Sequence, residues 1–564
     1  MPSTVSAAHS TTSSWLAPSL LGLIVALALG LRLWGLSWSL PWPLHPDERT
    51  PVDQARAILA TGDFGPDDFK NPSLFTYLIT GERAITRVLG PLAGPLAWDV
   101  PGSTHLLARL TSALIGTASV VVLYAIGDTL FGRRAGLVAA LFLAVSFIHV
   151  RNSHYGVNDV TAVGLLLLSL YFTTRLLRQP ALRWYVLAGL VGGLATSTKY
   201  SMGFFFAPIL VAHWLTSRGT AQGLRGRSGG LAVVLAGASG VSGYLMGTPY
   251  TVLDFGGFWS DFVQQYGYGN VRWLGQPTDP VPWLYLTSLL QGFGVVPFAL
   301  AAVGLLLAVR SLSRANPRRS WPAEGLVLLA FPAAYLAFLL PKAVFFPRLI
   351  LPLVPFCALL AGVGALEAAR RCDPRGRSVG LAVLLGVALI QPLVDDVRHD
   401  RLLLRTNTRV LATAWALANL PPGSSVKAEL RSIMDESTEG VPYPPGGPAL
   451  NIDHFDGRPE FDDADNYADR KVRYFVTSSY AYERLLGDPP LRNQREAGLR
   501  YLHLHRSLAD NAELVATFAP GYGGREVPYS QDEIFTPFWN LDQYERPGPT
   551  IRIYSLDPLM AGAD

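Results

Sequence analysis

The stretch "PLHPDERTP", residues 43–51, places two adjacent carboxylates, Asp47 and Glu48, near His45 and directly after the first apolar run of the chain. A carboxylate beside a membrane interface is suited to act as a general base on a membrane-embedded substrate. A plain helix end followed by a turn at Pro46 would have a similar composition. The next segment, "FKNPSLFTYLITGERAITRVLG", favours the functional interpretation, because its amphipathic character is typical of chain lying along a membrane surface.

A second polar group lies in "FIHVRNSHYGVNDVTA", residues 147–162, between two apolar runs. Asp159 falls where the second of these runs begins. We predict that it caps that helix, faces a polar cavity shared with Asp47, or does both. Arg151, His154 and His45 are candidate contacts to a substrate or a metal ion, although a solvated loop could carry the same charges.

Three cations stand at the ends of apolar runs: Lys199 in "GLATSTKYSMGFFF", and Lys342 and Arg348 in "PKAVFFPRLILPLVPF". A charged group at membrane depth costs about 2.5–3.5 kcal/mol on insertion scales and usually has a partner or a function. A lone lysine can also extend to the interface. We predict that the three cations bind a phosphate, lysine as a point charge and arginine through its forked donors. Tyr200 is a further candidate contact.

The composition indicates a membrane protein. Of 564 residues, 50% are hydrophobic and 16% are charged, against about 25% charged residues in soluble domains. Runs close to 20 apolar residues long indicate a polytopic α-helical membrane protein. The net charge of +4 gives no basis for a nucleic-acid partner. Residues 395–564 contain no cysteine, which excludes a disulfide there.

We predict about eleven transmembrane helices, and interpret the first run as a retained helix rather than a signal peptide. The runs lie at about 15–36, 105–130, 135–150, 157–174, 184–198, 201–215, 229–247, 284–309, 323–340, 349–366 and 378–394. The short pair around Lys199 could form two crossings or a broken helical hairpin inside the protein.

The distribution of basic residues predicts the orientation. With residue 1 in the cytoplasm, the inside loops hold sixteen arginines, whereas the short outside connections hold five basic residues. Cytoplasmic loops carry the excess of Arg and Lys. This orientation places the loop 37–104 and residues 395–564 outside a cell (inner or plasma) membrane. The predicted domains are therefore 1–394, in the membrane, and 395–564, a small extracytoplasmic α/β domain with strands in "VRYFVTSS" and "TIRIYSL".

These segments resemble the C-type glycosyltransferases, and most closely glycosyltransferase family 39, which includes protein O-mannosyltransferases and lipid A aminoarabinose transferases. The resemblance begins with "LRLWGL" and "HPDE" and continues through "RLTSALIGTASVVVLYAIGDTLFGRRAGLVAALFLAVS", "GLATSTKYS" and "FPRLILPLVPF". It ends with "LANLPPGSSVKAEL", "YFVTSSYAYERL" and "PTIRIYSL". It covers nearly the whole chain, and its most specific parts are HPDE and the order of the segments.

The resemblance implies an inverting enzyme that moves a sugar, mannose by default, from a polyprenyl-phosphate carrier to an acceptor hydroxyl outside the membrane. It implies that Asp47 is the catalytic base, that Glu48 is its paired acid and that Asp159 is a second acid. Lys199 and Arg348 match positions that contact the lipid phosphate in relatives. The acceptor, whether protein, glycan or lipid, stays open.

One departure concerns a metal. The loop 248–283 lacks the histidine that many relatives carry, so the requirement for a divalent metal ion stays open. A transporter of a lipid-linked or polar solute is the main alternative, because it would also place ionisable residues in a helical bundle. Transporters often contain inverted repeats, and the sequence has no evident repeat of this size.

Overall fold

The computed structural model describes residues 12–219, 226–273, 275–313, 321–429, 432–433, 450–455, 459–486, 495–530 and 532–560. The predicted inside loops 216–230 and 309–322 and the turn-rich stretch 441–471 lie partly outside these residues. Over the described ranges, helices dominate up to residue 419, and five strands follow.

Each predicted apolar run coincides with helical structure. The helices of this part are α1 (Thr12–Leu33), α2 (Arg49–Thr61), α3 (Leu74–Leu89), α4 (Ser103–Phe131), α5 (Arg133–Ala144), α6 (Phe147–Asn152), α7 (Asn158–Arg178), α8 (Leu182–Thr196), α9 (Phe206–Gly219), α10 (Gly226–Gly247), α11 (Tyr250–Leu253), α12 (Phe255–Tyr268), α13 (Val281–Gly292), α14 (Val295–Ser313), α15 (Trp321–Leu339), α16 (Val354–Arg370) and α17 (Arg377–Leu403). Short 3₁₀ helices at Tyr200–Phe205 and Pro347–Leu353 precede α9 and α16.

Five helical spans in the described residues are long and apolar enough to cross a membrane, and a bent pair makes a sixth. They are Ser103–Phe131, Asn158–Arg178, Ser228–Gly247, Pro347–Arg370 and Arg377–Asn419, with Val281–Gly292 and Val295–Arg310 as the pair. Shorter apolar helices also occur. The protein is thus a helical membrane protein, and the count of eleven crossings stays a prediction.

Two predicted runs are not single straight helices. The run 284–309 divides into α13 and α14, which meet at 115°. Gly294 between them has φ +100°, a conformation that glycine adopts without steric cost. The run 135–150 divides into α5 and α6, because Ser146 is extended and begins a new helix.

Helices α8 and α10 pack through glycines. A Cβ atom at Gly193 would lie 1.9 Å from the Gly240 carbonyl oxygen, and one at Gly189 would lie 2.2 Å from that of Ala236. Gly243 of α10 approaches the Leu190 carbonyl in the same way. Small residues let membrane helices approach closely where lipid supplies no hydrophobic driving force between them.

The C-terminal part is a mixed sheet with helices on both faces. Its elements are α18 (Thr408–Asn419), β1 (Ser425–Glu429), β2 (Asn451–Phe455), α19 (Ala464–Asp469), β3 (Tyr474–Ser478), α20 (Ser479–Leu486), α21 (Arg495–Asn511), β4 (Glu513–Phe518), β5 (Ile551–Ser555) and α22 (Asp557–Met560). The strand order is β2-β1-β3-β5-β4. β1 runs parallel to β2 and β3, whereas β5 is antiparallel to β3 and β4. α18 packs on one face, and α19 and α21 pack on the other.

A segment between β4 and β5 packs back onto the helical part. Ile534 and Phe535 are buried in one cluster with Trp38, Tyr155 and Phe346. Trp38 follows α1, Tyr155 lies in the α6–α7 connection, and Phe346 lies in the chain before α16. The cluster therefore joins four regions that are distant in sequence, and it includes Leu44 directly before the HPDE motif.

Candidate functional site

Asp47 and Arg348 form the outer part of the candidate site. Asp47 lies in the turn before α2, and Arg348 lies in the first turn of the 3₁₀ helix Pro347–Leu353. Arg348 Nη1 donates to Asp47 Oδ2 at 2.5 Å. The Asp47 side chain is 44% exposed and that of Arg348 is 18% exposed. The carboxylate can therefore be reached from outside the protein.

Asp159 and Lys199 form the inner part. Lys199 Nζ donates to Asp159 Oδ1, and the Asp159 side chain is 5% exposed. The prediction that Asp159 caps its helix is wrong, because Val157 is the N-cap of α7 and no side chain caps it. Instead, the carboxylate accepts from Lys199, which lies between α8 and the 3₁₀ helix Tyr200–Phe205. Arg348 interacts electrostatically with Asp159 as well as Asp47, so the four residues form one cluster, the acid–base quartet.

Aromatic rings cover the quartet. The Arg348 guanidinium carbon lies 4.6 Å from the ring centroid of Phe535 and 5.2 Å from that of Phe346. Such cation–π contacts are worth about 0.5–2 kcal/mol, the larger value applying where water is excluded. Phe535 comes from the segment between β4 and β5, so the C-terminal part of the chain contributes directly to the site.

Glu48 is turned away from the quartet. Its two carboxylate oxygens accept from Arg109 Nε at 2.8 Å and Nη2 at 2.7 Å, and both side chains are fully buried. The Gly156 N–H also donates to Glu48, at 2.7 Å. Burial alone would raise the pKa of Glu48, but the charge and hydrogen bonds of Arg109 lower the pKa overall. This ion pair fixes the HPDE turn against α4 and the α6–α7 connection.

His45 is also buried, and it supports the turn. Its ring lies 4.4 Å from the Tyr155 ring and stacks on Phe535 at 4.6 Å. Its Nδ1 accepts the Asp47 backbone N–H at 3.2 Å. Burial is the main cause that lowers the pKa of His45 to about 3, so the ring is neutral at physiological pH and holds the Asp47 backbone by an acceptor atom.

Arg151 and His154 are fully buried and have no contact with the quartet's carboxylates. Arg151 Nη1 donates to Asp532 Oδ2 at 2.6 Å, and its Nη2 donates to the Thr536 carbonyl at 2.5 Å. His154 lies 3.5 Å from Asp400. Arg151 thus anchors the segment that carries Phe535, and His154 belongs to a separate cluster.

Lys342 and Tyr200 lie at the side of the site next to α12. Lys342 Nζ sits 3.6 Å from the Tyr266 ring centroid and donates to Asn270 at 3.2 Å. Tyr200 donates to the Phe69 carbonyl at 2.9 Å, with its ring against Phe262. Neither side chain contacts a carboxylate of the quartet, although Tyr200 directly follows Lys199.

The donor set of the quartet does not fit a bound metal. Asp47 and Asp159 supply carboxylates, but a guanidinium and an ammonium already lie against them, and cations repel a metal ion. Glu48, the third acid predicted here, is occupied by Arg109. Over the described ranges, one group of three ligand-type side chains is close enough to hold an ion, and it consists of His154, His399 and Asp400.

Several residues of this site and of the separate His154 cluster were not found from the sequence. Arg109 carries a signal that could have found it, since a charged residue inside the apolar run 105–130 needs a partner. The acids and His399 in "DDVRHD" after the last apolar run carry a similar signal. Phe535 and Asp532 carry none, because only the fold brings that segment to the membrane part.

Residues 95–244 match the family described as dolichyl-phosphate-mannose-protein mannosyltransferase. The matched range includes Asp159 and Lys199. Residues 95–244 are therefore similar in sequence to a family of glycosyltransferases, in agreement with the predicted resemblance.

Two solved structures have a fold similar to that of this chain. The archaeal oligosaccharyltransferase AglB from Archaeoglobus fulgidus, in complex with an inhibitory peptide and a dolichol-phosphate, superposes with a TM-score of 0.54 at 13% identity. That match covers 97% of this chain and 89% of the other. The apo oligosaccharyltransferase of the same organism gives 0.53 at 13% identity, covering 86% and 73%. The predicted C-type glycosyltransferase fold is thereby confirmed.

A curated relative is less informative. An uncharacterized protein of Aquifex aeolicus (strain VF5) is 24% identical over 203 residues, which are 35% of this chain. The match spans 37% of that relative's length.

Proposed function

We propose that this glycosyltransferase moves a sugar from a polyprenyl-phosphate carrier to an acceptor hydroxyl, with the acid–base quartet as its active centre. The single observation that carries the proposal is the quartet itself, in which two carboxylates and two cations meet at a partly exposed site. The mannosyltransferase family matched by residues 95–244 supports a lipid-phosphate donor, as does the dolichol-phosphate bound to the AglB structure.

The chemistry is a displacement at the anomeric carbon, which inverts its configuration. The acceptor oxygen forms the new bond as its proton passes to Asp47, and the bond between the sugar and the carrier phosphate breaks. Lys199 and Arg348 stabilise the charge that develops on the departing phosphate, because fixed cations aimed at developing charge lower the barrier. Asp159 orients Lys199 and the sugar.

Donor binding frees the catalytic base, because Arg348 and Lys199 exchange their carboxylate partners for the donor phosphate. Without a donor, Arg348 donates to Asp47 and Lys199 donates to Asp159, so each carboxylate is occupied by a cation. A phosphate attracts both cations by charge-assisted hydrogen bonds. Their movement to the phosphate leaves Asp47 free to take the acceptor proton. Glu48 serves as a positioning residue, since Arg109 and the Gly156 N–H occupy both of its oxygens.

Mannose is the donor sugar we propose first, following the matched family description, with a protein, glycan or lipid as acceptor.

We also propose eleven crossings, a site on the outer face of the cell membrane and a separate C-terminal domain from residue 395. Exposed Cys372 tests the orientation. A membrane-impermeant maleimide should label it in inside-out vesicles and leave it unlabelled in intact cells. Labelling in intact cells would reverse the topology.

Turnover tests the function. The full-length protein in lipid nanodiscs would be given polyprenyl phosphates carrying mannose, glucose or aminoarabinose, and sugar release would be measured beside the Asp47→Asn variant. We expect release from one donor class, lost by at least about 100-fold in the variant, the range that general-base catalysis contributes. Turnover retained in Asp47→Asn would refute the assigned base. If folded wild-type protein releases no sugar from any of these donors, the proposed donor class is refuted.

A further inference from the structure

A second ionisable cluster lies apart from the quartet, where α17 passes the α6–α7 connection. His154, His399 and Asp400 are each fully buried. Asp400 Oδ1 lies 3.5 Å from His154 Nε2 and 3.4 Å from His399 Nδ1. These separations are long for hydrogen bonds between a carboxylate and an imidazole.

The same separations suit a shared metal ion. Zn²⁺ binds imidazole nitrogen and carboxylate oxygen at about 2.0–2.1 Å in tetrahedral geometry, which places neighbouring ligand atoms about 3.3 Å apart. All three ligand atoms lie within 4.8 Å of one another. Two histidines and one carboxylate are also a common ligand set for this ion.

The second nitrogen of each histidine is held as in known metal sites. His154 Nδ1 lies 3.0 Å from the Val150 carbonyl, and His399 Nε2 lies 2.9 Å from Thr536 Oγ1. Metal-binding histidines usually donate their other N–H to such an oxygen, which fixes the tautomer and the ring orientation. The remaining nitrogens, His154 Nε2 and His399 Nδ1, both lie near Asp400 Oδ1, and His154 Nε2 also lies 3.0 Å from the Trp34 carbonyl oxygen.

Unsatisfied groups point to a missing cation. Among the described residues, Asp400 Oδ2 and both carboxylate oxygens of Asp396 are buried without a hydrogen-bond partner. Arg32 is near both acids, but its guanidinium donates to carbonyls of α1 and α5 and contacts His149. An unpaired buried carboxylate is strongly unfavourable.

We propose that His154, His399 and Asp400 bind a divalent transition-metal ion, Zn²⁺ fitting best. The site is structural, because its ligands are buried and lie outside the quartet. It also reaches the active centre indirectly. His399 holds Thr536 through its second nitrogen, and Phe535 beside Thr536 covers Arg348. The ion would therefore fasten the C-terminal segment to the membrane part, whatever reaction the quartet performs.

Metal content tests the site. Full-length protein with an affinity tag free of histidine would be produced in Zn²⁺-supplemented medium, purified with a chelator in the final buffer, and measured by mass spectrometry. We expect about one equivalent of zinc in wild type, because the three side chains can share one ion, and less than a tenth of that in His399→Gln and Asp400→Asn. The control His503→Gln, an exposed histidine of α21, should match wild type.

A second measurement covers variants that fail to fold. Wild-type protein produced with Co²⁺ should show the visible ligand-field bands of four-coordinate cobalt, and X-ray absorption should report two imidazoles. Folded wild type without bound metal and without these bands would overturn the proposal. So would folded His399→Gln or Asp400→Asn protein with the metal content of wild type.

Discussion

Two adjacent carboxylates of the HPDE motif have opposite surroundings. Asp47 is 44% exposed and is bound by one arginine, whereas Glu48 is fully buried between Arg109 and the Gly156 N–H. A base must reach its substrate and must be able to change partners. These conditions favour Asp47 for proton transfer and give Glu48 the task of holding the turn.

Exchange of Glu48 for Gln should destabilise the protein without removing a group that touches substrate. The change leaves the Arg109 charge buried without a counter-charge, which typically costs about 3–5 kcal/mol. Thermal unfolding followed by intrinsic fluorescence would measure the loss at pH 7. The control Asp47→Asn removes a partly exposed pair, and should change stability by at most about 1 kcal/mol.

The same comparison has a pH dependence. The pKa of Glu48 is lower in the folded protein than its ordinary value of 4.5, so its ionised form contributes stability above pH 4.5. This contribution falls as the pH drops below 4.5 towards the folded-state pKa. The difference between wild type and Glu48→Gln should therefore be largest at neutral pH and shrink in acid. A difference that grows in acid would contradict the assignment of the pair.

Individual site residues differed in how far the sequence could predict them. The members of the quartet could be selected from the sequence, because each lies near the end of an apolar run, where a charged side chain is unfavourable without a partner or a function. The same signal also selected Arg151 and His154, yet the fold pairs Arg151 with Asp532, 381 positions away. Local sequence reports that a buried charge has a partner and does not report which partner.

Among the helices, α8 and α10 depend on glycine for their contact. Gly193→Ala places a methyl group where the Gly240 carbonyl lies, and overpacking of this kind costs typically about 1–3 kcal/mol. The melting temperature in nanodiscs should fall. Gly230→Ala is the matched control, since a Cβ atom there meets nothing within 4 Å. Equal melting temperatures for the two variants would mean that the helices pack less closely than described.

The helices themselves were largely predictable, because each apolar run of suitable length became helical. Their breaks were not. The run 284–309 is apolar throughout, and periodicity alone gave no reason to divide it. The bend at Gly294 is set by tertiary packing, where Pro392 of α17 lies against that glycine.

Across the whole molecule, the C-terminal part contributes Phe535 to the candidate site of the helical part. Phe535→Leu should weaken donor binding by about 2–10-fold, because it keeps apolar bulk but removes a cation–π contact with Arg348 worth about 0.5–1.4 kcal/mol. The Michaelis constant for the donor would measure this change. Phe518→Leu alters an aromatic ring of β4 that packs on Trp415, and it should leave the constant unchanged. An equal effect of both variants would indicate general loosening of the C-terminal part.

The sequence predicted a C-terminal α/β part but not its contact with the active centre. Strand patterns identify β3 and β5 because their alternation is local. The segment from Asp532 to Thr536 carries no periodic pattern, and it is contacted by Arg151, Tyr155 and Phe346 from elsewhere in the chain. Only the folded chain brings these groups together.

The most direct test measures binding and transfer together. Polyprenyl-phosphate binding and sugar transfer would be followed in nanodiscs for wild type, Lys199→Ala, Arg348→Ala and Asp47→Asn. Loss of one charged hydrogen bond costs about 1.5–3 kcal/mol, so both cation variants should bind the carrier at least about 10-fold more weakly. Asp47→Asn should bind it at least as tightly as wild type, because Arg348 no longer has to leave a carboxylate, and should transfer sugar at least about 100-fold more slowly. Unchanged binding in both cation variants, or transfer by Asp47→Asn at the wild-type rate, would contradict the proposed active centre.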